Sequence, residues 1–548
     1  SSVETGFGFE WSSLLEPHTS SRNYTKIRGV KYSNGHVYVI GVYVSDSTYT
    51  INNGVTLPAT NVEAVFVVKY NSSGVAQWAE TIIGSVTVDG GGIAVDSSGN
   101  VYVTGDYRSA VSVTLGNNVT LSATSTLSGF VIKYNQYGAV QWAKTIIPPY
   151  NQYDPGGVAI NDIAVSANGD VYVTGDYESI SDFGGFVDLG NNVTLPPTHY
   201  QYSRANAFVA KYNTDGVAQW GGRLGSFGYE SRGRGVVVHS NGIFVTGNYI
   251  EGESGGYLSP VNPAPSGRLG YLVDIDHNGI KQWGQSHNRT DVDSLGIVVN
   301  DYDIYILGSH ISPNNSSRFL FIEKFSFSGS SYQFIEFMET RETTGSASGY
   351  WWSQKLDKVD KGIAVTSTGV VYVCGEYTST TDLEFTIPSS YDTVTLPVTN
   401  GYDGFLLKCL EPTLQVSEAK RVYSFGDVFL SAIDADQDDV YIGGHTNGMV
   451  YGLNVDDRVT LKRTSTYVAS QDDIGVIFNL NFSSSKTVYT STRERVVSGG
   501  NYGFDLPQNY TITTTPQVFI SMYKFNDDAE EISAGYDTFE TIFPARDG

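Results

Sequence analysis

FVVKYNSSGVAQWAE, residues 66 to 80, returns as FVIKYNQYGAVQWAK at 130 to 144 and as FVAKYNTDGVAQWGG at 208 to 222. Each copy alternates apolar and polar residues up to a turn-like Asn-x-x-Gly, resumes the alternation, and ends near a Trp. A period of two broken by a turn former predicts a β-hairpin. Five diverged copies follow: YLVDIDHNGIKQW (271–283), FIEKFSFSGSSYQF (321–334), FLLKCLEP (405–412), VIFNLNFS (476–483) and FISMYKFN (519–526).

A second phrase precedes each hairpin. GGIAVDSSGNVYVTGDY (91–107) is echoed by NDIAVSANGDVYVTGDY (161–177) and KGIAVTSTGVVYVCGEY (361–377). Weaker copies place the aligned glycines at Gly41, Gly105, Gly175, Gly247, Gly308, Gly375, Gly444 and Gly500. Together the two phrases predict a unit of four antiparallel strands, which is the content of a propeller blade. Long helical patterns are absent, so the expected class is all-β.

GIAVDSSGNVYVTG joined to a later FVxKYNxxGxxQWA resembles the SBBP-type bacterial β-propeller repeat family, and the resemblance covers almost the whole chain. It implies a propeller, usually on an exported or surface protein, and carries over no catalytic residue. The family name implies seven blades. Counting copies favours eight, with seven plus an accessory hairpin as the alternative. One interval is short: about fifteen residues separate Asn481 from Val496 where other copies have about thirty, so one strand there is missing or shared.

GFGFEWSSLL (6–15) aligns with GVAQWAETII (74–83), which sets Trp11 where Trp78, Trp142, Trp220 and Trp283 stand. The expected organisation is therefore an N-terminal strand within residues 1–20, bearing Phe9, Trp11 and Leu14, that completes the last blade of a single propeller over 21–548. Its expected partners are the C-terminal strands around 495 to 526. Such closure removes an exposed sheet edge. The same strand entering a second copy would join chains into dimers or filaments.

The chain has 548 residues, and 57 acidic against 33 basic side chains give a net charge of −24. Phosphate backbones and anionic membranes repel such a surface, which argues against nucleic acid as a partner. No run reaches the ~18–20 apolar residues of a membrane span. The opening SSVETGFGFEW lacks Met and reads as a processed, exported form. Cys374 and Cys409 fall on neighbouring strands but not opposite each other, which favours two buried thiols over a disulfide. Nine sequons permit N-glycosylation, at Asn23, Asn71, Asn118, Asn192, Asn288, Asn314, Asn315, Asn481 and Asn509.

Catalytic motifs are sparse. HExxH and GxxxxGK[ST] are absent and the eight His are scattered. Two acidic runs resemble Ca²⁺ loops. Asp274, Asp276 and Asn278 coincide with the hairpin turn of their copy, and Asp434, Asp436 and Asp438 occupy a turn where carboxylates could gather. Asp106, Asp176 and Glu376 follow repeat glycines and read as a solvated rim, or as general acid and base for a glycoside. Tyr350, Trp351 and Trp352 are a candidate aromatic contact surface. Segments such as INNGVTLPAT (51–60), LGNNVTLSAT (115–124) and LGNNVTLPPT (189–198) form short hairpins or a binding face.

These features predict an exported, non-enzymatic propeller at the cell surface or outside the cell. Its expected role is structural or adhesive, with itself, a surface protein or a carbohydrate as partner. No cofactor is expected beyond Ca²⁺. The rival expectation is a polysaccharide hydrolase or lyase with an acidic rim.

Overall fold

The computed structural model describes residues 8–15, 23–149 and most of 156–447, with its longest internal gaps at 251–267 and 340–361. Beyond these it describes the strands at 453–455, 459–461, 474–481, 488–491, 510–513, 521–523 and 531–533. Tyr350, Trp351, Trp352 and the eighth repeat glycine, Gly500, lie outside the described residues, as do Asn288, Asn314, Asn315 and Asn509.

Among the described residues, the all-β chain forms seven four-stranded antiparallel units in the predicted order. The first comprises Tyr24–Ser33, His36–Ser45, Thr60–Asn71 and Ala76–Ile82, each strand bonded to the next. Units two to six begin at Thr87, Gly157, Ser231, Asp293 and Ile363. The seventh takes Val428–Asp436, Asp439–Thr446 and Ile474–Asn481 from one end of the sequence and Gly8–Leu15 from the other.

The aligned glycines answer a packing demand. Gly41, Gly105, Gly175, Gly308 and Gly375 pair with Phe66, Phe130, Phe208, Phe321 and Phe405 on the third strand. A Cβ on Gly41 would lie 2.4 Å from the Phe66 ring, and one on Gly105 would lie 2.0 Å from the Asp89 carbonyl oxygen. The ring therefore occupies the space a side chain would fill.

The hairpin turns are set locally. Asn71 Oδ1 accepts bonds from the Ser73 and Val75 amides at 3.0 and 2.9 Å, and Gly74 takes φ +73°. Asn135, Asn213 and Asp276 repeat the arrangement. An Asx side chain that bonds the following amides, with a glycine to reverse the chain, specifies this turn without tertiary help.

The first strands pack in sequence, each on the first strand of the next unit, and that of unit seven lies against that of unit one. The Ser431 hydroxyl donates at 2.7 Å to the Ile27 carbonyl across this last contact, and the Tyr32 amide donates to Asp434 Oδ2 at 2.7 Å. The N-terminal strand pairs with Ile474–Asn481, not with the 495–526 segment expected from sequence. The short interval after Asn481 has its explanation here, because that unit receives its outer strand from the N-terminus. Trp11 stands opposite Asn479, as Trp78 stands opposite Lys69, and the register shifts at the equivalent step in both pairs.

Candidate functional site

The recurring KYNxxGxxQW phrase is a latch between neighbouring units. Lys69 Nζ and Trp78 Nε1 both donate to the Gln136 carbonyl in the hairpin turn of unit two, at 3.2 and 3.1 Å. Lys133 and Trp142 do the same to Thr214 at 3.2 and 3.0 Å, and Lys211 and Trp220 to His277 at 3.3 and 2.9 Å. The turn glycine rests on the indole: a Cβ on Gly138, Gly216 or Gly279 would come within 3.0, 2.8 or 2.8 Å of Trp78, Trp142 or Trp220. Each lysine also lies over a tyrosine of its own second strand, at 5.4, 5.2 and 5.5 Å from the rings of Tyr38, Tyr102 and Tyr172. The cation is thereby oriented by a π face and discharged on a carbonyl.

Later units vary the theme. In unit four Asp274 replaces the lysine and Phe244 the tyrosine. His239 supplies the complement, stacked on Phe244 at 4.2 Å with Nε2 3.0 Å from Asp274. In unit five Lys324 lies over Tyr305 and pairs with Glu411 of unit six at 2.7 Å. In unit seven the side chains of Phe9, Trp11 and Leu14 lie outside the described residues, while their backbones pair with Leu480, Asn479 and Val476. Ser13, two residues beyond Trp11, is buried and accepts from the Tyr70 hydroxyl of unit one at 3.5 Å.

A second belt, which the sequence did not announce, runs along the first strands. Six of the seven carry a register shift beside the repeat glycine, over steps that include Arg28, Asn161, Arg234 and Ser431. Arg28 Nε approaches Asp89 of unit two at 3.3 Å, and Asn161 Nδ2 donates to both Asp176 Oδ1 and the Gly233 carbonyl of unit four. A bulge turns a side chain out of the pleat, here toward the adjoining unit.

Burial corrects the reading of a solvated acidic rim. Asp106 and Glu376 are each only 5% exposed. Asp176 is held by Asn161, and burial, opposed by Arg234 and Arg232, raises its pKa.

The acidic turn of unit seven holds ion pairs on both sides. Asp434 meets Lys31 of unit one at 3.6 Å and the Tyr32 amide, and Asp438 lies 3.9 Å from Lys408 of unit six. Among the described residues no three His, Cys, Asp or Glu side chains gather as a metal site. Asp276 caps its hairpin turn and Asp274 pairs with His239, so the other acidic run is also committed to local structure. Cys374 and Cys409 are buried and not joined in a disulfide, and burial pushes the Cys409 thiol up to about 12.

The variable connections are docked hairpins. Tyr49–Asn52 with Val55–Leu57, Val113–Gly116 with Val119–Leu121, and Val187–Gly190 with Val193–Leu195 each pack on the outer strand of their own unit. Asn53, Asn117 and Asn191 open the turns at positive φ and donate to the carbonyls of Ala76, Val140 and Ala218 at 3.1, 3.2 and 3.0 Å. Tyr43, Tyr107 and Tyr177 hold the trailing ends through the carbonyls of Pro58, Ser122 and Pro196. Each hairpin also touches the outer strand of the preceding unit, and for unit one that neighbour is the N-terminal strand.

Residues 77–106 match the family model for SBBP, a beta-propeller repeat. This chain carries the SBBP repeat. The matched stretch begins on the outer strand of unit one and ends on the second strand of unit two, so one SBBP repeat straddles two sheets and includes Trp78 of the latch. An uncharacterized WD repeat-containing protein of Acanthamoeba polyphaga mimivirus is 26% identical over 227 residues, 36% of this chain and 15% of that protein. The present chain thus aligns with a small part of that relative. An acylaminoacyl peptidase from Pyrococcus horikoshii aligns over 81% of this chain and 52% of its own, with a TM-score of 0.31 and 10% identity, too slight a likeness to bear on activity.

Proposed function

We propose that the seven units close into one ring and that the protein is an exported, non-enzymatic propeller with a structural or adhesive role. The supporting observation is the seventh unit, whose outer strand comes from the N-terminus while its first strand packs on unit one. Among the described residues, the one strand of these units drawn from a distant part of the chain thus lies where unit seven meets unit one. Two of the carboxylates that a glycosidase would expose, Asp106 and Glu376, are buried, which favours a scaffold over a catalyst. A charged fraction of 16% with abundant Tyr suits a hydrogen-bonding exterior facing the outside medium.

The strand also supplies a route to assembly. Gly8–Leu15 donated to another copy would make the same bonds to Ile474–Asn481 and join chains without a new interface. Light scattering and electron microscopy of the full chain separate the two forms: discs of one-chain mass for self-closure, regular polymers for exchange. Deleting residues 1–15 exposes the Ile474–Asn481 edge, and the expected result is loss of both forms, with lower thermal stability and irregular association. A deletion variant that stayed monomeric with unchanged melting temperature would overturn the closure reading. Fractionation of the source cells tests export independently.

A further inference from the structure

The nine sequons are not equivalent in the folded chain. Asn23 is 2% exposed, and its side chain both donates to Asp46 Oδ1 at 2.9 Å and accepts from the Asp46 amide at 3.1 Å. Asn71 spends its side-chain oxygen on two turn amides. Asn481 lies mid-sheet, paired with Gly8 on one side and Asp439 on the other.

Asn118 and Asn192 differ from all of these. They occupy the same place on the hairpins of units two and three, the second turn residue, at φ +61° and +58°. Both are exposed, as are Thr120 and Thr194 two residues later, while Val119 and Val193 between them are half-buried. Amide and hydroxyl of each sequon are therefore both open to solvent. The preceding residues, Asn117 and Asn191, anchor the hairpins to the outer strands, which leaves the second asparagine outside the anchoring bonds. Unit one has Gly54 at this place and no sequon, so the turn itself does not require a glycosylatable asparagine.

We infer that Asn118 and Asn192 are paired N-glycosylation sites on the rim of adjacent units, a step that rests on the export reading above. The donor class is a lipid-pyrophosphate-linked oligosaccharide. The side-chain Nδ2 bonds to the anomeric carbon, the carbon–oxygen bond to the phosphate breaks with its electron pair leaving on that oxygen, and the amide loses one proton to the transferase. A glycan at either place projects from a turn tip and displaces nothing. A glycan on Asn23 would have to enter the contact with Asp46, so chains modified there fail to reach the fold.

The test imposes secretion, so that it does not depend on the native route. The full chain is secreted from a glycosylating eukaryotic cell through an appended leader, and glycopeptides are mapped after amidase release in heavy-oxygen water. Occupancy at Asn118 and Asn192 with none at Asn23 or Asn71 is the expected result. Thr120→Ala and Thr194→Ala should each remove one glycan mass and leave the melting temperature within a degree or two. Folded, secreted protein with both asparagines unmodified overturns the proposal, as does a mass unchanged by these substitutions. A native protein found only inside its cells would overturn the export reading while leaving this site map intact.

Discussion

The Trp78 indole donates at 3.1 Å to the Gln136 carbonyl, 58 residues away in the neighbouring unit. The Lys69 ammonium shares that acceptor. One carbonyl thus gathers a neutral and a charged donor from the sheet before it, and the same geometry recurs at Thr214 and His277. Such bonds contribute roughly 0.5–1.5 kcal/mol for the neutral donor and 1.5–3 for the charged one.

Removing the indole donor while keeping an aromatic ring isolates that bond. Trp142→Phe should cost about 1 kcal/mol and Trp142→Ala about 3 or more, since the latter also empties the space under Gly216. Urea unfolding of the full chain measures both. A Trp142→Phe variant as stable as the native chain would assign the whole effect to packing.

Gly105→Ala places a methyl 2.0 Å from the Asp89 carbonyl oxygen and 2.8 Å from the Phe130 ring. Because the first of these is backbone, relief requires the strand to move. A loss of at least 1–3 kcal/mol is expected. Pairing it with Phe130→Leu should recover little, because the carbonyl clash persists.

Burial pushes Glu80 up to about 7. Its folded value therefore exceeds that of the unfolded chain, so the protonated form is the one the fold favours. Stability from this group is full below the unfolded pKa and falls as pH rises through about 7. Glu80→Gln should raise the melting temperature at pH 8 and leave it nearly unchanged at pH 4. Thermal scans across that range decide it, and a substitution that destabilised at pH 8 would remove the claim.

The two thiols should be silent in the native state. Cys409 is fully buried with its thiol pushed up to about 12, and Cys374 is 1% exposed. A thiol-specific reagent at pH 8 should label neither until denaturant is added, then both together. Rapid labelling of the folded protein would show that unit six opens locally.

The strand order and the hairpin turns were legible because each is written in one short stretch. Asn71 with Gly74 sets its turn without tertiary contacts, and the aligned glycines signal their phenylalanines by recurrence. Even the place of Trp11 could be read from its neighbours. What the latch binds could not be read, because a carbonyl acceptor has no residue identity: Gln136, Thr214 and His277 share nothing but position. The bulged residues Arg28, Asn161, Arg234 and Ser431 likewise differ, so the belt along the first strands leaves no pattern in the sequence. Counting phrases favours eight units, and seven four-stranded units lie among the described residues; a phrase does not reveal which strand it pairs with. The outer strand of the seventh lies some 460 residues from its partner.

That separation orders events during synthesis. Gly8–Leu15 leaves the ribosome some 460 residues before Ile474–Asn481. At ~5–20 residues per second the early strand waits on the order of tens of seconds to a minute or more before its partner exists. Six sheets can form meanwhile, each from contiguous chain, while one amphipathic strand stays unmatched and open to any complementary edge nearby. The nascent protein therefore has a vulnerable interval that its finished form conceals, and a chaperone that shields this strand would protect it until its partner is made.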